Sequence, residues 1–201
     1  MKLRWAAASP FVRKVTVTAI ETGLDGRIER IDTDRHSPDS DLAKDNPLGR
    51  VPALIRDDGS MLADSPVICA YLDSLHGGPK LIPETGEARW RALNLEGLGD
   101  GLGETAIQVQ RERGRPDGRY WDAWEARNAA RFSRTMDWLE TNAALLDGPV
   151  TIGQIAIACA LGWTEFRLPD LLADADTRWP NLTRWYRGFR ERPSMRATAP
   201  R

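Results

Sequence analysis

The chain has 201 residues, of which 41% are hydrophobic, and its formal net charge is −1 at pH 7. This length and composition suit one compact domain or two small ones with hydrophobic cores. The balanced charge and the lack of a basic face with interleaved aromatics argue against a nucleic-acid-binding protein. The apolar runs are too short to span a membrane. The first 20 residues carry charges and a helix start, so we expect no targeting signal and a cytoplasmic protein.

The first predicted helix follows a short strand and begins at a serine. Residues 1–6 alternate between apolar and charged side chains, which predicts a strand. Ser9 is a favourable N-cap, and Pro10 suits the first helical position, where no N–H donor is needed. Apolar residues then recur at helical spacing to about Thr22, before Gly23. The Ser9 hydroxyl is therefore expected at the positive end of a helix, which favours an anion.

The remaining elements of residues 1–76 follow from periodicity and turn residues. They are a strand at 27–31, a polar loop with a short helix within 33–46, strands at 53–55 and 61–63 around a hairpin turn at 57–60, and a helix from Asp64 to about His76. The order is β-α-β-α-β-β-α. Helix-connected strands pair in parallel, and the hairpin adds an antiparallel edge.

Glycine and proline in residues 77–86 mark a boundary, after which every predicted element is helical. Helices are predicted at 87–113, at 120–146, from 152 onward and from 180 to 192. In the helix that starts this half, glycine occupies positions 97, 99, 101 and 103. Each costs about 0.8–1.0 kcal/mol relative to Ala in a helix, so we interpret them as a face that another backbone or a ligand approaches closely.

Further along the chain, Thr151 and Gln154 predict a capping box at the start of an almost uncharged core helix. The cysteines Cys69 and Cys159 lie far apart on apolar helical patterns, so we expect both to be reduced and buried. His36 and His76 fit no Cys/His pattern. We expect both at the surface, and no metal site.

Four motifs, spread over essentially the whole chain, together resemble the bacterial serine-type cytosolic glutathione transferases. They are Ser9-Pro10-Phe11-Val12-Arg13-Lys14, Asn46-Pro47-Leu48-Gly49-Arg50-Val51-Pro52, Asp64-Ser65 and Thr151-Ile152-Gly153-Gln154-Ile155-Ala156. The resemblance implies an α+β protein, with an N-terminal thioredoxin-like βαβαββα domain at 1–76, a linker at 77–86 and an all-helical C-terminal domain at 87–201. It also implies glutathione as cosubstrate, a small electrophile as second substrate, and a homodimer.

In such an enzyme the Ser9 hydroxyl would donate a hydrogen bond to the glutathione thiolate. A free thiol titrates near about 8.5, whereas the thiolate is the nucleophile. A helix N-terminus contributes about 0.3–1 kcal/mol and a charge-assisted hydrogen bond about 1.5–3 kcal/mol, enough to lower the pKa by roughly one to two units. The dipeptide Ser9-Pro10 alone is more often an ordinary N-cap, and only the other three motifs shift the balance to the catalytic role.

The resemblance also implies the residues that bind glutathione. Val51-Pro52 resembles a cis-proline turn, which leaves the Val51 N–H and C=O free to pair with the cysteinyl unit as an added strand would. Arg50 is a candidate for the glycine carboxylate, or else a solvated charge. Asp64 and Ser65 begin a helix and are candidates for the γ-glutamyl group, or else an ordinary cap.

The second substrate would lie between the two domains. Its predicted walls are Phe11, Ile107, Arg111 and Trp163. The arginines Arg111, Arg113 and Arg115 indicate either an acidic or polar electrophile or a solvated face. Asp100 is a candidate to reach glutathione in the partner subunit.

Three departures from the family pattern bear on these assignments. The position of Asp64 is more often Glu, Gln154 replaces an acid, and relatives often carry more polar or aromatic residues at positions 5–8. The alternatives are isomerase, peroxidase or reductive dehalogenase chemistry by the same thiolate, and a non-catalytic relative that binds glutathione or a protein. Glutaredoxin-like thiol exchange would require a cysteine in place of Ser9.

Overall fold

Four short strands near the start of the chain form a mixed sheet in the computed structural model, which describes residues 1–34, 37 and 40–200. The strands are β1 (Lys2–Trp5), β2 (Glu29–Asp32), β3 (Ala53–Ile55) and β4 (Met61–Leu62). Their order is β2-β1-β3-β4, with β1 and β2 parallel and the other two pairs antiparallel. The predicted parallel pair and antiparallel hairpin edge are both confirmed.

Helices account for the other elements. They are α1 (Pro10–Glu21), α2 (Leu42–Asp45), α3 (Ser65–Ser74), α4 (Gly86–Arg113), α5 (Asp122–Thr141), α6 (Ile152–Arg167), α7 (Ala175–Arg178), α8 (Pro180–Phe189) and α9 (Pro193–Ala197). Short 3₁₀ turns occur at Asp25–Arg27, Ala143–Leu146 and Pro169–Leu172. Among the described residues, no helix has the length and apolar character needed to cross a membrane.

The structure corrects several predicted bounds. Strand β2 starts two residues later than predicted, because Asp25–Arg27 closes a 3₁₀ turn. The helix predicted at 120–146 ends at Thr141, and the chain then tightens into a second such turn. Helix α9 was not predicted: Pro193 was interpreted as a stop, yet proline equally suits the first helical position.

The prediction of a surface histidine at position 76 is wrong, and His36 lies outside the described residues. The His76 side chain is only 12% exposed, and its Nε2 lies 3.0 Å from Asp73 Oδ1. The buried Asp73 carboxylate also accepts hydrogen bonds from the Leu81 and Ile82 N–H groups. His76 therefore helps to fix the segment that leaves the first half of the chain.

Helix α6 forms the centre of the helical half, as predicted from its lack of charge, and every residue from Ile152 to Thr164 is buried. It packs closely on α4 because Gly99 has no side chain: a Cβ there would lie 2.6 Å from the Ile157 nitrogen. Gly103 faces α6 as well, whereas Gly97 and Gly101 have no other atoms within 4 Å of an added Cβ. The predicted close-approach face is thus confirmed within this chain for two of the four glycines.

The capping box at the start of α6 is confirmed. The Thr151 N–H donates to Gln154 Oε1 over 2.6 Å. The Gln154 amide nitrogen also donates to the Leu146 carbonyl over 2.7 Å. A glutamate could not make that second bond, because a carboxylate only accepts.

Candidate active site

A cavity of about 330 Å³ opens where the start of α1, the segment before β3, α4 and α6 meet. Its lining includes the following residues that the sequence predicted for the site: Ser9, Phe11, Arg50, Val51, Ile107, Arg111 and Trp163. Residues separated by up to 154 positions in the chain therefore converge on one space. Pro52, Asp64, Ser65 and Asp100 lie outside this lining.

Ser9 holds the N-cap position of α1 and is only 4% exposed. Its Oγ accepts a hydrogen bond from the Val12 N–H over 3.3 Å. Among the described residues the hydroxyl donates to no partner, so its proton is available to a group in the cavity. This leaves the hydroxyl both held by the helix and able to donate, because one oxygen can accept and donate together.

The peptide bond between Val51 and Pro52 is cis, as predicted. Val51 is 7% exposed, and in the described part of the chain neither its N–H nor its C=O has a hydrogen-bond partner. Buried backbone groups are rarely left unpaired. The edge beside Ser9 thus offers one donor and one acceptor to an extended peptide.

Asn46, which begins the second motif but was given no role from the sequence, fixes the loop before this turn. Its side chain is buried; Nδ2 donates to the Arg50 carbonyl over 2.7 Å, and Oδ1 accepts from the Leu48 N–H over 3.1 Å. The Arg50 side chain itself is exposed at the cavity. An amide provides both the donor and the acceptor that this loop needs.

Trp163 anchors α6 to the segment that carries Ser9. It is 5% exposed, and its indole N–H donates to the Ala8 carbonyl over 2.8 Å. The sequence predicted Trp163 as a wall of the site, but not this bond across 155 residues.

The start of α3 is capped within the chain. The Asp64 carboxylate accepts a hydrogen bond from the Ser65 N–H, and Pro66 has no N–H to offer. The buried Ser65 hydroxyl has no partner among the described residues. That hydroxyl and the Val67 N–H are therefore the donors that this helix end presents.

A buried ionic cluster, formed by Lys14, Glu96 and Asp100, joins α1 to α4. Lys14 Nζ lies 2.6 Å and 2.8 Å from the two Asp100 oxygens and 3.0 Å from Glu96 Oε1. Burial opposes the ammonium charge, but the neighbouring acidic groups, Cys69, Asp100 and Glu96, outweigh it and raise the pKa of Lys14. Burial, with repulsion from Glu96, raises the pKa of Asp100 to about 6 despite the attraction of Lys14.

This ionic cluster was not predicted from the sequence, which assigned no role to Lys14. It occupies both oxygens of Asp100 within the chain. The contribution of Asp100 to glutathione in a partner subunit stays a prediction.

The three arginines at the end of α4 differ in their surroundings. Arg113 is bound by Glu125 over 2.8 Å and by Asp170 over 2.9 Å, and Arg115 by Glu112 over 3.0 Å. In the described chain Arg111 has no ion pair, and it is exposed at the cavity. The sequence did not point to Glu104 or Gln108, although they share a helix face with Arg111 through spacings of seven and three residues.

The two cysteines are free and buried, as predicted. Burial raises the pKa of Cys69 to about 12 and that of Cys159 to about 11. Both remain protonated near neutral pH and belong to the core, so neither side chain supplies a nucleophile at this site.

Comparison with known proteins decides the family. Residues 8–75 match the glutathione S-transferase N-terminal domain, and residues 122–188 match the C-terminal domain. An Escherichia coli K12 protein described as "Uncharacterized GST-like protein YibF" is 31% identical over 205 aligned residues, which cover 100% of this chain and 98% of that protein. The chain belongs to the glutathione S-transferase family.

Solved structures of glutathione transferase family members match the whole chain. One, from Pseudomonas fluorescens Pf-5 with bound glutathione, is 41% identical with a TM-score of 0.93 and covers 100% of this chain and 98% of its own. A second structure from that organism, with bound S-(propanoic acid)-glutathione, is 40% identical with a TM-score of 0.91 and full coverage of both chains. A glutathione S-transferase from Methylobacillus flagellatus KT with glutathione bound is 31% identical, with a TM-score of 0.93 and coverage of 100% and 99%. The α+β fold, with a thioredoxin-like start and a helical continuation, is therefore confirmed.

Proposed function

We propose that this glutathione transferase family member binds glutathione in the cavity beside Ser9 and joins it, through its sulfur, to a small electrophile. The observation that carries the proposal is the buried Ser9 hydroxyl, which is held at a helix N-terminus with its proton uncommitted among the described residues. The glutathione bound to the Pseudomonas and Methylobacillus relatives supports the choice of cosubstrate.

The peptide backbone of glutathione would pair with Val51. The free N–H and C=O of Val51 match those of one extended residue, as an added β-strand would. Arg50, exposed at the same side of the cavity, would attract the glycine carboxylate. The Ser65 hydroxyl would receive the γ-glutamyl carboxylate, and Asp64, at the exposed start of α3, would face the glutamyl ammonium group.

Ser9 would act by stabilising the thiolate rather than by removing the proton as a base. A hydrogen bond to a charged group contributes about 1.5–3 kcal/mol, and the helix N-terminus adds about 0.3–1 kcal/mol. In a substitution the sulfur then forms a bond to carbon, and the leaving group departs with its electron pair. Isomerase, peroxidase and dehalogenase chemistry would use the same thiolate.

The experiment is a titration of bound glutathione by the ultraviolet absorbance of its thiolate, in wild type and in two Ser9 variants. Ser9→Ala removes the hydroxyl and also the cap, whereas Ser9→Gly removes the hydroxyl at little cost to capping. We expect the wild type to lower the thiol pKa by roughly one to two units from about 8.5. Both variants should raise it again and slow turnover, with little change in glutathione affinity.

A suitable control is Ser74→Ala, which removes an exposed hydroxyl bonded to Tyr71 at the end of α3. Equal turnover in Ser9→Gly and wild type would contradict the role of Ser9. Tight glutathione binding by the wild type without any thiolate at neutral pH would instead favour the non-catalytic binding role.

A homodimer is the proposed assembly. Trp90 is 63% exposed on α4, and Gly97 and Gly101 continue the same helix face at spacings of seven and eleven residues. Val67 on α3 is also exposed, at 47%. An apolar side chain next to two open glycines suits the close approach of a second subunit, which sedimentation of wild type and Trp90→Glu would test.

A further inference from the structure

One wall of the cavity beside Ser9 is formed by α4, and the proposed glutathione contacts give no role to the α4 residues that line it. Arg111 stands there, exposed and without an ion pair in the described part of the chain. Its neighbours Arg113 and Arg115, by contrast, are each bound by acidic side chains. Of the three arginines Arg111, Arg113 and Arg115, Arg111 is therefore the one whose guanidinium is available to a ligand in this cavity.

The cavity that holds Ser9 and Arg111 also contains an apolar patch. Phe11, Ile107 and Trp163 contribute their side chains, and the indole N–H of Trp163 is already engaged by Ala8. A group attached to sulfur at Ser9 therefore has both hydrophobic side chains and a cation within the same cavity.

The electrostatics on this wall favour an anion. Glu104 is the acidic residue that lines the cavity, and it lies two turns before Arg111, about 10 Å along the helix axis. Gln108, one turn before Arg111 on the same face, adds an amide donor. A guanidinium presents a planar set of N–H donors that matches the two oxygens of a carboxylate.

We propose that Arg111 is a specificity-determining residue that selects electrophiles bearing a carboxylate on a small hydrophobic body. This inference rests on the proposed function, because it places the reacting sulfur at Ser9. The carboxylate binds Arg111, the apolar body contacts Phe11 and Trp163, and the electrophilic carbon is left facing the sulfur. Arg111 positions the substrate and takes no part in bond making.

The test compares two glutathione conjugates that differ by one charge: S-(4-carboxybenzyl)glutathione and S-(4-carbamoylbenzyl)glutathione. Their affinities are measured by calorimetry for wild type, Arg111→Gln and Arg111→Lys. Arg127→Gln serves as the control, since it removes the same charge from an exposed position on α5 outside the cavity lining.

We expect wild type and Arg127→Gln to prefer the carboxylate conjugate by about twofold to fivefold, which is the range of an exposed ion pair. The preference should fall as salt is added. Arg111→Gln should bind both conjugates equally, and Arg111→Lys should recover part of the preference, because lysine restores the charge but not the planar donors.

Equal wild-type affinities for the two conjugates would overturn the inference, as would a preference that persists in Arg111→Gln. A uniform loss of affinity for both conjugates in that variant would also overturn it, since Arg111 would then act on glutathione itself. Each of these outcomes leaves the Ser9 proposal standing. Absence of binding by glutathione and by both conjugates would overturn the inference and the proposed function together.

Discussion

The indole N–H of Trp163 donates to the Ala8 carbonyl over 2.8 Å, and so holds the central helix of one half against the residue before Ser9. Trp163→Phe keeps the aromatic packing and removes this bond. We expect kcat/KM to fall about fivefold to tenfold, equivalent to about 1–1.4 kcal/mol, because the N-terminal segment of the site is less firmly placed.

The control for this variant is Trp138→Phe, at a tryptophan that is 39% exposed on α5. Steady-state kinetics with glutathione and a neutral halogenated aromatic would provide the comparison. Unchanged kcat/KM in Trp163→Phe would show that packing alone positions residues 8 and 9.

Lys14→Met should be among the most destabilising single changes in the chain. The Lys14 side chain is 1% exposed, and its loss leaves Glu96, 5% exposed, beside Asp100 without a counter-charge. Breaking a buried ion pair by removing one partner costs about 3–5 kcal/mol. Urea unfolding measures the change, and Lys44→Met is the control at an exposed lysine on α2.

Neutralising the acids should restore part of that loss. The triple variant Lys14→Met, Glu96→Gln, Asp100→Asn removes the uncompensated charge, so it should be more stable than Lys14→Met alone. If Lys14→Met unfolds at the same urea concentration as the wild type, the ionic cluster does not contribute to stability.

The titration of Asp100 gives a pH dependence of definite sign. Burial raises the pKa of Asp100 to about 6 in the folded protein, against about 3.9 in an unfolded chain. The folded state then binds the Asp100 proton more tightly than the unfolded chain does. The resulting stabilisation is fully present at a pH below the unfolded pKa of about 3.9, and it is lost as the pH rises through about 6. Relative to Asp100→Asn, the wild type should lose about 1 kcal/mol of unfolding free energy between about pH 5 and 7. If the unfolding free energy of the wild type minus that of Asp100→Asn stays constant or grows with pH, the raised pKa of Asp100 is contradicted.

Two glycines on α4 should respond oppositely to the same substitution. A Cβ at Gly99 would lie 2.6 Å from the Ile157 nitrogen of α6, whereas Gly101 has nothing within 4 Å. Gly99→Ala should cost about 1–3 kcal/mol through overpacking. Gly101→Ala, measured in the Trp90→Glu background so that the proposed subunit contact does not interfere, should stabilise by about 0.8–1.0 kcal/mol through helix propensity. Thermal unfolding at one fixed protein concentration compares them, and a stable Gly99→Ala variant would show that the α4–α6 contact yields easily.

Local signals explain what the sequence predicted well. The N-cap at Ser9, the turn before β4 and the capping box at Thr151 each depend on a few adjacent residues, and the structure contains all three. The roles of the four glycines at positions 97, 99, 101 and 103 could be predicted only in part. Spacing separates them into two pairs on different faces, yet nothing local shows that Gly99 and Gly103 face inward.

Long-range partners explain what was missed. The acids that bind Lys14 lie 82 and 86 residues away, so its pattern within α1 gave no sign of burial. The sequence analysis treats Gln154 only as a departure from the family's acid. It does not anticipate the bond that the Gln154 amide donates to the Leu146 carbonyl, because Leu146 lies outside the capping box. The resemblance implied Arg111 as a wall of the second-substrate site, and the cavity lining includes it. The packing of α4 against α1 and α6 that brings it there is specified by no single motif.

The buried ionic cluster also limits how the chain can be divided. Lys14 belongs to the first 76 residues, while Glu96 and Asp100 belong to the long helix that follows. If residues 1–76 were expressed alone, the Lys14 ammonium group would lose both carboxylates and become exposed to water. The Ala8 carbonyl would also lose its hydrogen bond from Trp163. The two halves should therefore melt in one cooperative transition, and truncation of the chain after residue 76 should yield an aggregating fragment rather than a folded glutathione-binding domain.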